Sequence, residues 1–130
     1  MNGFSFFLSC ALAYSLGGAA YPLMELGFRG RSHWSMSLAG GLGMLGIHWI
    51  GTALPSLPFL LRCILCGGWI TAVELAVGCG VNLLGKQGVW DYSNQPLQLW
   101  GQICLPYSLL WMLLSAPALL ISERIGELLK

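Results

Sequence analysis

Charge is what this sequence has least of. Asp, Glu, Lys and Arg make up 8% of its residues, against about a quarter in an ordinary soluble domain. The Lys and Arg total is 6 and the net charge +1, which leaves no basic surface for a phosphate backbone and excludes nucleic acid as a partner. A disulfide framework is missing too. The five cysteines, Cys10, Cys63, Cys66, Cys79 and Cys104, all fall in apolar runs, and an odd number so placed does not pair extracellularly. Cys63 and Cys66 form a CxxC, but that motif does its redox or metal chemistry near water. All five read as small membrane-core residues. No HxxxH, ExxH or Ser/His/Asp set occurs, so neither an enzyme, a metal centre nor a cofactor is expected. The N-terminal MNGFSFFLSCALAYSLGG has no basic n-region and stays apolar for too long to be a cleaved signal peptide; it should remain as a membrane helix.

What is there is hydrophobic: 56% of residues, with a mean hydropathy of +0.72. The expectation is an all-α membrane protein forming one integral domain over 1–130. A bilayer span takes ~20 mostly apolar residues at a rise of ~1.5 Å each. Stretches at about 4–27, 35–54, 58–84 and 97–121 qualify, so four transmembrane helices are predicted, with a short amphipathic tail at 122–130 along the interface. Loop 28–34, FRGRSHW, is basic, the link LPSLP at 54–58 is uncharged, and loop 85–96 carries Lys86 and Asp91. Basic short loops stay in the cytoplasm, which places 28–34 and 85–96 inside a bacterial inner membrane; Arg62 on the outer side counts against this.

An internal repeat supports a paired architecture. Gly17-Gly18 precede Glu25 much as Gly67-Gly68 precede Glu74, and each acid is followed by Leu, a helix end and a Trp-containing loop. The four helices would form two hairpins related by a pseudo-two-fold axis along the membrane normal.

The stretch from Gly67 to Pro96 holds the most chemistry. A charged group near the middle of a membrane helix costs at least ~2.5 kcal/mol, so an acid there faces the protein and finds a partner. Arg62, Cys66, Ile70, Glu74, Gly78 and Asn82 recur at intervals of four and share one helix face. Asn82 there reads as interhelical glue. Glu74 reads as functional, because an amide would satisfy the same donors with less desolvation. Glu25 has Tyr21 a turn before it, Arg29 a turn after, and Pro22 opening the backbone at the Gly18 carbonyl. It makes either a site or an interfacial salt bridge. Arg29 and Arg31 suit an anion or lipid headgroup, and positive-inside anchoring accounts for them equally. His33 is a candidate proton relay to Glu25 or Asp91, while Ser32 or Ser35 caps the next helix and Trp34 anchors at the interface. Trp90, Asp91, Tyr92 and Ser93 form either a cap and turn or a lid in which Asp91 pairs with Arg29 or Arg31. His48, alone in its helix, reads as a packing residue.

At GRSHWSM (30–36), the Glu74, Gly78, Asn82 spacing, and VWDYSNQPLQLWGQICLPYSLLW (89–111), the chain resembles the bacterial family labelled type IV ABC-transporter permease, which is similar to a little-studied animal transmembrane family. The resemblance spans most of the chain. It implies a multi-helix inner-membrane permease, with Glu25, Arg29, His33, Trp34, Glu74, Asn82, Trp90, Asp91 and Tyr92 on the pattern positions. With no nucleotide-binding motif in the chain, an ATPase or other membrane subunit would be a separate partner.

Two functions fit these residues. The first is a transporter subunit moving a small solute or ion, with Glu25 and Glu74 in a shared wet cavity open to the cytoplasm. It would be dimerised through small-residue faces at Gly17, Gly18, Gly40, Gly41 and Gly43. The second is a scaffold or lipid-binding subunit that docks a partner through its two loops.

Overall fold

The computed structural model describes residues 2–30, 33–86 and 88–129, with the side chains of Phe28 and Arg29 outside that description. Local signals set most helix ends. Asn2 starts α1 (Gly3–Arg29) by accepting from the Ser5 backbone N–H at 2.8 Å, and Gly30 ends it at φ 70°, the left-handed cap that glycine adopts freely. His33, in place of the expected serine, caps α2 (Trp34–Ala53): its Nδ1 accepts from the Ser35 N–H at 3.2 Å. Pro58 leads into α3 (Phe59–Gly78), which passes directly into a π-helical segment, Cys79–Leu84. There Gly85 N–H reaches back five residues to the Gly80 carbonyl at 2.9 Å. α4 runs from Leu105 to Leu128 with Pro106 in its first turn.

Packing gives two hairpins, α1 on α2 and α3 on α4, with α2 also against α3 and α4, while α1 and α4 barely meet. Among the described residues, three helical stretches are long and apolar enough to cross a membrane: Gly3–Gly27, Phe59–Leu84 and Leu105–Leu128. α2 is not among them, which corrects the expectation of four spans. Gly40, Gly41, Gly43, Gly46, Gly51, His48 and its hydroxyl residues lower its hydropathy. Ser35, Met36, Ala39, Met44, Ile47 and His48 are buried in the bundle, so protein covers a surface that lipid would otherwise have to meet.

The fourth helix starts later than expected. Residues 97–104 are irregular, with Leu97 at φ 51°, Trp100 at 55° and Gly101 at 72°, none of them helical. Helix begins where Pro106 presets φ. At its other end α4 continues through the residues expected to lie apart as a tail, to Leu128.

The glycines expected to bring two copies together are used inside the chain. A Cβ on Gly17 would strike the Gly40 carbonyl, one on Gly40 the Gly17 carbonyl, and one on Gly41 the Tyr14 ring at 2.7 Å. These contacts set how closely α1 lies on α2. The carbonyl that Pro22 frees in α1, that of Gly18, accepts the Ser37 hydroxyl of α2 at 2.9 Å, so the proline break is filled by a neighbouring helix.

A second tie joins α1, α2 and α4 at the opposite end. Ser9 donates to the Phe6 carbonyl at 2.7 Å, so its oxygen is left to accept from His48 Nε2 at 2.8 Å. In the neutral ring His48 Nδ1 then accepts from the Ser122 hydroxyl at 2.6 Å. His48 is 1% exposed and Ser9 and Ser122 are buried with it, the packing role read from the sequence. Replacing His48 with Leu strips Ser122 of this partner. Denaturation in detergent micelles should show a loss of about 1–3 kcal/mol; no change would mean the three side chains are not coupled.

Candidate functional site

Glu74 is 2% exposed, three-quarters of the way along α3, and both of its carboxylate oxygens are held. Trp111 of α4 donates its indole N–H to Oε1 at 2.6 Å, and Tyr92 of the loop donates its hydroxyl to Oε2 at 2.9 Å. Donors of this kind make a buried carboxylate tolerable, because hydrogen bonds to the charged oxygens replace lost water. Each donor is itself braced. Tyr21 of α1 meets the Trp111 ring edge-on at 5.7 Å, and Tyr107 stacks on Tyr92 at 4.7 Å and 11°. Helix α3, α4, α1 and the loop therefore converge on one acid.

The loop that delivers Tyr92 is tightly tied. Tyr92 N–H donates to the Gly101 carbonyl at 2.7 Å, Trp90 Nε1 to the Gln102 carbonyl at 3.0 Å, and Gln102 Nε2 to the Trp100 carbonyl at 2.9 Å. Asn82, on the π-helical segment, donates to Gln102 Oε1 at 2.8 Å and accepts from Val89 N–H at 2.6 Å. Asn82 thus ties the end of this helix to the loop and not, as expected, one helix to another. Gly101 is needed twice over: its φ is 72°, and a Cβ there would come within 2.8 Å of Asp91 Oδ1.

The polar seam on α3 is buried where it matters, with Cys66, Glu74 and Gly78 all enclosed. Glu74 lines a cavity of about 280 Å³ between the two hairpins, with Tyr21, Gly43, Val73, Trp111 and Pro117 among its walls. It is the one carboxylate among the described residues that does so. The walls are otherwise almost wholly apolar. At the rim stand Leu16, Met24 and Ile121, which are 44%, 41% and 44% exposed. The cavity thus looks out between α1 and α4, toward the side that lipid would cover.

The other sequence candidates go elsewhere. Glu25 is half-buried a turn beyond Tyr21 and does not line the cavity, so the wet chamber shared by two acids is not what the chain forms. His33 bonds to Ser35, at 2.8 Å to the hydroxyl, and serves as a cap. Trp34 is 62% exposed, as an interface anchor would be. Asp91 is exposed and accepts from the Ser93 N–H at 2.9 Å, a local turn. Arg31, Ser32 and the Arg29 side chain lie outside the described residues, and with them the expected pairings to Glu25 and Asp91. Sequence reasoning passed over Trp111 as a partner, along with Gln102 and Tyr107. The signal for Trp111 was indirect: a buried acid needs donors, and a Trp in a facing apolar helix is one of few N–H groups available.

A helical bundle in which, among the described residues, three helices are long and apolar enough to cross a membrane has the build of a membrane protein. Residues 30–127 match the family described as "Putative ABC-transporter type IV", and the chain belongs to that family. Neither a curated protein nor a solved structure gives a match.

Proposed function

We propose that the chain is a membrane-embedded transporter subunit in which Glu74 is the polar anchor of a solute site in the cavity between the hairpins. The observation that carries this reading is the position of one buried carboxylate on the wall of an otherwise apolar cavity, in a chain of an ABC-transporter family. Apolar walls cannot replace the water shell of a small ion, so the site favours a small solute with a substantial hydrophobic surface and one group that engages the acid. Tyr92 links the site to the loop, so a shift of 85–96 would change what holds Glu74. In this reading loops 28–34 and 85–96 face the cytoplasm of a bacterial inner membrane, where an ATPase or a second membrane subunit can dock. A second copy of the chain would have to use surfaces other than the Gly17 and Gly40 notch.

Reconstituted vesicles test this. Glu74→Gln keeps the shape and one acceptor but removes the charge, and solute uptake should fall to background while the folded protein persists. Unchanged uptake would take the carboxylate out of the mechanism.

A second reading, a scaffold or lipid-binding subunit that docks a partner through its loops, is favoured by one observation: protein donors hold both oxygens of Glu74. It predicts that Glu74→Gln weakens the fold and leaves uptake untouched.

A further inference from the structure

At the end of the bundle away from the Tyr92 loop, the last turn of α2, the first turn of α3 and the closing turns of α4 surround a pocket of about 370 Å³. Arg62 and Phe59 line it from α3, Thr52 from α2, and Ser122, Glu123 and Glu127 from α4. The guanidinium carbon of Arg62 lies 5.6 Å from the centroid of the Phe59 ring, a cation–π contact that helps fix its plane. Its Nε is buried with no hydrogen-bond partner among the described residues. A buried guanidinium N–H without an acceptor is costly and calls for one.

The acids across the pocket do not supply it. Among the described residues Arg62 and Glu123 form no ion pair with each other, and Glu127 is engaged at 3.1 Å by Arg124 on the outer surface. A cation on α3 and a carboxylate on α4 therefore face one space without pairing. The polar side chains between them are already committed, Thr52 to the His48 carbonyl at 2.6 Å and Ser122 to His48. Negative ends of the helix dipoles of α2 and α4 add to the pull on a positive group.

We propose that this pocket binds a phosphoethanolamine group, the headgroup of a zwitterionic phospholipid. The phosphate accepts from the terminal nitrogens of the Arg62 guanidinium, whose charge no described acid neutralises, and the primary ammonium donates to Glu123 and, at the edge, Glu127. The setting suits a lipid. The pocket lies at the ends of spanning helices, where headgroups sit, and α3 and α4 expose Leu60 (73%) and Leu120 (55%) within a turn of it for the acyl chains. This site is separate from the Glu74 cavity and does not depend on the transport reading.

The test uses the full chain in detergent, offered equal amounts of phosphatidylethanolamine, phosphatidylcholine and phosphatidylglycerol, with retained lipid counted by native mass spectrometry. Phosphatidylethanolamine should be retained about tenfold over the other two, the worth of one charge-assisted hydrogen bond. Phosphatidylcholine has no ammonium N–H for Glu123, and phosphatidylglycerol has no ammonium. Glu123→Gln, on an exposed stretch of α4, should erase the preference, whereas Arg62→Gln should lower retention of all three lipids and Arg62→Lys should keep part of that retention. Competition by soluble phosphoethanolamine at matching concentration would assign the site to the free compound; failure to compete would assign it to the lipid. Equal retention of the three lipids, or an undiminished preference in Glu123→Gln, would overturn the proposal, and the latter variant reads it even where Arg62→Gln fails to fold.

Discussion

Glu74→Ala should lower the unfolding free energy in detergent by about 2–6 kcal/mol, the cost of stranding two buried neutral donors. The carboxylate serves two donors at once, Trp111 at 2.6 Å and Tyr92 at 2.9 Å. Without it, an indole N–H and a phenol O–H are stranded where water cannot reach, at about 1–3 kcal/mol each. Removing the donors singly should be milder. Trp111→Phe and Tyr92→Phe should each cost about 1–3 kcal/mol, and either one combined with Glu74→Ala should cost less than the sum, because the three form one network. Additive losses would mean that the three side chains are not coupled. Tyr92→Phe should also loosen the loop, since the hydroxyl tie from that ring to Glu74 would be gone, and hydrogen exchange at 89–102 should rise.

Gly40→Val is the second large effect. A Cβ at Gly40 falls against the Gly17 carbonyl and, at 2.6 Å, against Tyr21 Cβ. Backbone cannot give way as a flexible side chain can, so α1 and α2 must part along their length. Overpacking of this kind costs about 1–3 kcal/mol and more where nothing yields, so a loss of about 3 kcal/mol is expected. Gly68 is the internal control. Open space surrounds it, and Gly68→Ala should be neutral or stabilise α3 by up to ~1 kcal/mol, because glycine is a poor helix former. Equal effects at Gly40 and Gly68 would show that the tight α1–α2 approach is not what sets the packing.

These residues also show how far the sequence could be read. Apolar runs with clear stops gave α1 and α2 to within two residues of their ends. The interval of four along α3 picked out Cys66, Glu74 and Gly78 as a buried face. The start of α4 is hidden because residues 97–104 are as apolar as a helix, and the turn there is set by bonds that composition does not show: Tyr92 and Gln102 donate to backbone carbonyls, and Gln98 Oε1 accepts from the Gly101 N–H. The span count failed on α2 for a physical reason: a helix at the centre of a bundle need not satisfy lipid, and so can carry glycines and a histidine. The internal repeat made Glu25 and Glu74 look equivalent. Tertiary packing gives Glu74 partners that no local pattern reveals, since Trp111 meets it across 37 positions of sequence and Tyr92 across 18.

The central claim is that Glu74, and not Glu25, is the acid of the solute site. Side-by-side uptake by vesicles carrying Glu74→Gln or Glu25→Gln, each checked for folded protein, tests it most directly. Uptake should be lost with Glu74→Gln and kept with Glu25→Gln. Uptake kept with Glu74→Gln, or lost equally in both, would contradict it.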